Sequence, residues 1–310
     1  MKYDRIMKKP LLSICIPTYN RAAYIAKSLT AIINQVRSDD SVEIIVADNH
    51  SQDNTESIVR EFVEKNPYII YVRREQNLGA ARNFLGLMHQ ASGEYILLLG
   101  DDDILSKNAI SILLNRLQGK HYGVLYIESR AFERNIPLFE EYKDQTDFIK
   151  AISYYYTFMS SFIFRKDIVE TIDDPERYIP SHLLQMPFYI KSTLNSNLNA
   201  ITREQIFETI GLASATNGGY NYFDVFVHWY LEIWKEYLPD EKLIAWLKKD
   251  IWSFVWGYTK RLLIRKDVGN FKTDNGWKIL VKYYGNEWYF WWTLFKYPFG
   301  VIKRKIKKLL

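Results

Sequence analysis

Four short apolar runs, each ending in a polar loop and followed by an amphipathic stretch, constrain this chain more than any other feature. Leu11 to Pro17, Val42 to Asp48, Ile69 to Arg73 and Tyr95 to Leu99 are rich in β-branched residues and leucine and too short for helices, so they read as strands. Between them, three stretches space their apolar residues as helices do: about Ala22 to Val36, the one that Asn54 or Thr55 is placed to cap, and Gly79 to about Ala91. Strands that alternate with helices form a largely parallel sheet, because parallel neighbours need a right-handed crossover. An α/β architecture results, with the loops after the strands gathered at one rim. Those loops carry Thr18-Tyr19-Asn20-Arg21, Asp48-Asn49-His50-Ser51, Arg74-Glu75-Gln76-Asn77 and Asp101-Asp102-Asp103, a dense set of polar groups for a single edge.

The last loop is the most demanding. A buried strand that stops in three consecutive aspartates repels itself unless a divalent cation or a basic side chain neutralises it. For an isolated Asp-Asp-Asp, an acidic turn capping the helix that begins near Lys107 is the simpler alternative. In extended backbone alternate side chains share a side, so Asp101 and Asp103 can face one cation while Asp102 faces ribose or sugar. The remainder is ordinary globular composition: 310 residues, 48% hydrophobic and 25% charged, with a net charge of +5. The single cysteine, Cys15, lies inside an apolar run as a core residue and excludes an internal disulfide. Met1 to Lys9 lacks the apolar core of a signal peptide, and no apolar run reaches the roughly 20 residues that span a bilayer. A cytoplasmic protein is expected, with any membrane contact peripheral.

Four motifs, in order, resemble glycosyltransferase family 2: Ser13-Ile14-Cys15-Ile16-Pro17-Thr18-Tyr19-Asn20-Arg21; Val46-Ala47-Asp48-Asn49-His50-Ser51-Gln52-Asp53-Asn54-Thr55; Asn77-Leu78-Gly79-Ala80-Ala81-Arg82-Asn83; and Gly93-Glu94-Tyr95 leading to Asp101-Asp102-Asp103. The resemblance covers roughly the first 120 residues and thins out beyond them. It implies a GT-A fold, a nucleotide-diphosphate sugar as donor, and a divalent metal, Mn2+ or Mg2+, held by an Asp-x-Asp element. Carried over by position, it makes Pro17, Thr18, Tyr19, Asn20 and Asn77 donor-binding residues, with the Tyr19 phenol as a stacking face. Asp48 accepts a hydrogen bond from the base, and Arg82, beside Asn83, reaches a phosphate. Asp101 and Asp102 touch the donor, and Asp101, Asp102 and Asp103 hold the metal. The commoner family form has an aspartate where Gly100 stands, which leaves the register open between Asp101 with Asp103 and Asp102 with Asp103.

Inversion at the anomeric carbon, also implied by the resemblance, needs a general base on the acceptor hydroxyl. His182, which begins an apolar helix at a position resembling the histidine of O-antigen transferases of the abequosyltransferase type, is one candidate, and Asp174 the other. A structural histidine and a simple Asp173-Asp174-Pro175 turn are the plain alternatives.

Beyond about Asn217 the pattern changes. Phe223, Phe226, Val227, Tyr230, Leu231 and Trp234 recur at helical spacing, and a further helix is expected from about Asp240 to Leu263. The division expected is a GT-A domain over 1–216, with a donor half over about 10–120 and an acceptor half over about 121–216, and an aromatic-rich helical region over 217–310. Trp288 to Phe299 precede a basic end in which Phe299, Ile302, Ile306 and Leu309 or Leu310 share one face, while the lysines and Arg304 suit anionic lipid. Contiguous aromatics do not make a nucleic-acid groove, so no nucleic-acid partner is expected.

The whole reads as a metal-dependent, inverting glycosyltransferase. Its acceptor is a saccharide, by resemblance one carried on a polyprenyl lipid, and its place is the inner face of the cytoplasmic membrane in surface-polysaccharide or O-antigen assembly. A non-catalytic nucleotide-sugar-binding or scaffold protein stands as the alternative. A nucleotidyltransferase fits less well, because Pro17-Thr18-Tyr19-Asn20 is not a glycine-rich phosphate loop.

Overall fold

The computed structural model describes residues 9–36, 41–128, 136–211, 219–265 and 270–296. Strand β1 (Leu12–Thr18) is buried along its whole length. Ile14 and Ile16 point into one core with Ile25, Leu29, Ile44, Val46 and Leu97, whereas Cys15 points into the other among Ile45, Leu87, Met88 and Leu98. A strand covered on both faces is apolar at nearly every position, which is why it reads as a run; the buried Ser13 is satisfied by donating to Glu43 at 2.5 Å.

Helix α1 (Ala22–Ile33) leads to β2 (Val42–Asp48), α2 (Thr55–Lys65) to β3 (Ile69–Arg73), and α3 (Ala80–Gln90) to β4 (Tyr95–Leu98). These four strands are parallel, with Leu12 opposite both Val42 and Tyr95. Next come β5 (Ile104–Leu105), α4 (Ala109–Leu117), β6 (Val124–Ile127), β7 (Phe139–Tyr142), α5 (Gln145–Ile152), β8 (Phe162–Arg165), α6 (Met186–Leu194), β9 (Asn199–Thr202) and β10 (Phe207–Thr209). The eight-stranded sheet runs β3-β2-β1-β4-β8-β6-β9-β7, while β5 and β10 form a small separate pair. Strand β8 runs antiparallel to both β4 and β6, so the sheet is parallel in its first half and mixed in its second.

Two local expectations change. The entry to α2 is fixed by Asp53, whose carboxylate accepts from the Thr55 amide and hydroxyl; Asn54 makes no side-chain cap. His182 does not begin a helix. It closes the 3-10 turn Pro175–Ser181 in a left-handed conformation, and α6 starts four residues later.

After Tyr220 a π-helical turn, Asp224–Trp229, runs into α7 (Tyr230–Tyr237), followed by α8 (Glu241–Arg265), α9 (Gly276–Tyr284) and a last helix, α10, over 288–296. These helices bury Tyr230, Trp234, Leu247, Ile251 and Phe290 in the same core as Phe162 and Tyr189 of the sheet half. Each such side chain contributes about 1.5–3 kcal/mol by leaving water, so the helical region is fastened to the sheet rather than tethered beside it. The basic residues after Phe299 lie outside the described residues. Among the described residues no helix is long and apolar enough to cross a membrane.

Candidate functional site

The carboxyl ends of β1, β2 and β4 and the first turn of α3 enclose a cavity of about 490 Å³. Pro17, Thr18, Tyr19, Asn77, Asp101 and Asp102, all expected at the site from sequence, line it together. Arg21, Asn49, Asn83, Phe84 and Met159 line it too. Parallel register places the first groups there, since every parallel strand delivers its last residue to the same edge.

The aspartates divide their work. Thr18 Oγ1 donates to Asp101 Oδ2 at 2.8 Å, tying the end of β1 to the turn after β4. Burial pushes the Asp101 carboxyl up to about 6, against the opposing pull of the Thr18 hydrogen bond and the Arg21 charge. Asp102 is half-buried in the cavity wall. Asp103 lies behind it: Ser160 Oγ donates to its Oδ2, and the Gly211 amide donates to its Oδ1 at 2.7 Å. Burial raises the Asp103 pKa while the Ser160 hydrogen bond opposes the rise.

Alternation along a strand therefore does not reach these residues. The backbone turns at Asp101 and Asp102, closed by the Asp103 amide on the Gly100 carbonyl at 3.1 Å, so adjacent rather than alternate carboxylates face the cavity. Gly100 makes that turn possible. A Cβ there would stand 2.7 Å from Asp103 Oδ2 and 3.2 Å from Asp102 Oδ1. Gly100→Ala is expected to push the Asp103 carboxylate off Ser160 and to crowd the Asp102 carboxylate beside it, lowering turnover roughly 10²-fold, the cost of a misplacement near 1 Å, with the thermal midpoint measured alongside to separate this from unfolding.

Behind the cavity, Asp48 is fully buried and accepts three hydrogen bonds: from the Ser51 amide at 2.8 Å, from Ser51 Oγ at 2.6 Å and from the Tyr71 phenol at 2.8 Å. Its neighbour Asn49 faces the cavity. The Asn49 amide donates to the Thr18 carbonyl at 2.9 Å, its Nδ2 donates to Asn77 Oδ1 at 2.8 Å, and its Oδ1 accepts from the Leu78 amide at 2.9 Å. One residue thus joins three loops. Gly79, at φ +81°, supplies the left-handed turn that brings Asn77 and Ala80 round to the wall.

On α3 the neighbours Arg82 and Asn83 part company. Asn83 is buried, donates to the Ala47 carbonyl at 2.8 Å and accepts from Arg74 Nε at 3.0 Å. Arg82 points away to a two-pronged ion pair with Glu176, at 3.1 Å from NH2. Asn20 holds the rim from outside, accepting from the Gln52 amide at 2.7 Å.

The candidate bases stand apart from the cavity lining. His182 has φ +56° and stacks on Tyr220, with ring centroids 4.9 Å apart. Desolvation lowers its pKa, Asp224 opposes this and Lys272 adds to it, a shift that favours the neutral ring. Asp174 is exposed before Pro175, with φ +43°.

Arg21 and Asn49 are cavity residues to which the motifs assign no role. Each sits close to a residue that the motifs do pick out, and only the loop geometry shows which of two neighbours turns inward.

Comparison with known proteins agrees with this edge. The model of "Glycosyl transferase family 2" matches residues 13–210. Abequosyltransferase RfbV of Salmonella typhimurium is 33% identical over 191 residues, covering 54% of this chain and 57% of that protein. A GalNAc(5)-diNAcBac-PP-undecaprenol beta-1,3-glucosyltransferase of Campylobacter jejuni is 36% identical over 108 residues, 34% of each chain. The matches thus span about half or less of these two relatives' own lengths. Among solved structures, S. aureus TarS in complex with UDP-GlcNAc superposes with a TM-score of 0.61 at 21% identity, over 81% of this chain and 74% of that one. A Pyrobaculum calidifontis mannosyltransferase in complex with GDP-Man and Mn2+ gives 0.53 at 14% identity, over 82% and 76%. With the GT-A architecture shared and the family model matched over more than half of its length, this chain belongs to glycosyltransferase family 2.

Proposed function

We propose that the protein transfers a sugar from a nucleotide diphosphate to a saccharide acceptor, with inversion and with a divalent metal, in the assembly of a surface polysaccharide. The observation that carries this reading is the convergence of Asp101 and Asp102 with Arg21, Asn49 and Tyr19 around one cavity at the carboxyl edge of a parallel sheet. An aromatic face suits a base, a carboxamide offers both donor and acceptor to its edge, and a guanidinium suits a diphosphate.

The carboxylates fit a hard cation. Asp101 and Asp102, the two carboxylates in the cavity wall, would hold it, with Asp103 behind them and the remaining positions open to donor and water. When bound, a divalent ion neutralises charge on the departing diphosphate. The protein's own contribution is placement. Asp101 is held by Thr18, and Arg21 adds positive charge on the same wall. The acceptor oxygen bonds to the anomeric carbon as the carbon–oxygen bond to the diphosphate breaks, and the acceptor proton passes to a base; His182 is proposed ahead of Asp174, although both stand outside the cavity lining, because the environment of its ring favours the neutral form.

A lipid-linked acceptor at the inner face of the cytoplasmic membrane fits the undecaprenol in the name of the Campylobacter relative and the basic end of this chain. The division into a transferase unit over 1–216 and a helical region over 217–310 belongs to the same reading.

Release of nucleoside diphosphate from a panel of nucleotide sugars, with and without acceptor extract, tests it. Turnover of one donor supports the transferase, whereas tight donor binding without turnover under all conditions supports the scaffold alternative. The pH profile carries a sign: cations bind the carboxylate, and burial pushes the Asp101 carboxyl up to about 6. Cation affinity is therefore expected to rise through about pH 6 and level off above it, as measured by manganese titration.

A further inference from the structure

Helix α10, over 288–296, has two opposite faces. Phe290 is fully buried, and Tyr289 nearly so, against the core. The other face carries Trp288, Trp291, Trp292 and Phe295, exposed by 69%, 50%, 48% and 62%. Positions i, i+3, i+4 and i+7 lie on one stripe of a helix, so this is a continuous aromatic ridge rather than scattered exposure. Helix α9 extends it. Trp277 and Val281, four residues apart, are exposed by 55% and 39%, and the Trp277 ring lies 5.9 Å from that of the buried Phe290, which in turn lies 4.9 Å from the ring of Trp291 on the ridge.

The surroundings are basic. Lys249 lies over the Trp288 ring at 5.9 Å and Lys296 over the Trp292 ring at 4.5 Å. Lys278 and Lys282 are exposed on α9 beside Trp277 and Val281. The nearest acid on this segment, Glu287, is already paired with Lys248. Large aromatic rings with cations around them match the headgroup layer of an anionic bilayer, where an indole buries its body and keeps its N–H wet while each lysine meets a phosphate. A second copy of this chain fits less well, because a two-fold contact would set one lysine rim against the other. The same objection applies to the chain's own basic end, which carries Lys303, Arg304, Lys305, Lys307 and Lys308.

We propose that the aromatic ridge of α10, continued by Trp277 and Val281, is the surface that inserts into the interface of an anionic lipid bilayer. The helix lies in the membrane plane with its ridge about 5–10 Å deep, and the basic residues after it add electrostatic attraction. This deepens the proposed residence at the membrane and rests on that reading. It places the anchoring residues on a folded helix that packs on the catalytic core, so the sheet is held at a fixed orientation to the lipid.

The test is flotation of the full-length protein with vesicles of phosphatidylcholine containing phosphatidylglycerol, together with quenching of tryptophan emission by brominated lipid. A Trp288→Ser/Trp292→Ser/Phe295→Ser variant is expected to lose binding roughly tenfold or more, since three large apolar groups leave the interface, and to retain its thermal midpoint and donor turnover in solution. A second variant lacking residues 297–310 is expected to keep quenching by brominated lipid, with weaker affinity. Binding of the triple variant equal to the wild type, with loss only in the truncated protein, would overturn the ridge as anchor while leaving membrane residence intact. No binding of the wild type to any vesicle would overturn both. A concentration-dependent dimer abolished by the triple substitution, without lipid binding, would assign the ridge to a second copy and overturn the proposal.

Discussion

Asp102→Asn is expected to lower turnover by roughly 10²–10³-fold while leaving the fold intact, the scale of removing one preorganised electrostatic group. The substitution keeps the size of a half-buried side chain and removes its charge, at a position in the cavity wall outside the strands of the sheet. Asp101→Asn is expected to reach a similar loss with a smaller change in stability than its burial suggests. An amide there no longer faces the desolvation that pushes the Asp101 carboxyl up to about 6, and its oxygen still accepts from Thr18. Asp103→Asn should behave differently. Both its oxygens accept hydrogen bonds from the protein, from Ser160 and from the Gly211 amide, so the loss falls first on stability. Initial rates at saturating donor, with thermal midpoints measured in parallel, separate the three.

Asp48→Ala is the second large effect. The substitution leaves the Ser51 amide, the Ser51 hydroxyl and the Tyr71 phenol without their acceptor in a fully buried site. At about 1–3 kcal/mol for each orphaned buried group, a loss of about 3 kcal/mol or more is expected in urea denaturation. Burial and the Asp48 charge hold the Tyr71 phenol far above its ordinary pKa, so it stays a donor throughout the usable pH range. Asp48→Asn keeps one good acceptor for the Ser51 pair and is expected to lose less. If Asp48 instead read the base directly, Asp48→Asn would weaken donor binding at unchanged stability.

Both aspartate sites lie at the boundary between strand and loop, where the legibility of the sequence changes. The parallel strands are legible because their residues alternate between two cores, so that Cys15 and Ile16 are equally buried on opposite faces. Pro17 to Tyr19 and the aspartates after β4 come from register, since they end neighbouring parallel strands. The loop beyond a strand obeys turn geometry instead. The turn at Asp101 and Asp102 brings adjacent carboxylates inward where alternation pairs Asp101 with Asp103. In the same way Asn49 rather than Asp48, and Asn83 rather than Arg82, face the cavity, a choice made by hydrogen bonds to residues distant in the chain, Tyr71, Asn77 and Ala47. The acceptor half is harder to read because its elements are short. His182 closes a 3-10 turn and stacks on Tyr220, a contact between segments that no local pattern announces.

Metal-assisted donor binding at Asp101 and Asp102 is tested most directly by calorimetric titration of the full-length protein with nucleoside diphosphates of each base, once with Mn2+ and once with a chelator. Binding of one class of base, strengthened by the metal and weakened by Asp102→Asn, is the expected result. Metal-independent binding unaffected by Asp102→Asn, or no binding at all to a folded sample, would contradict it.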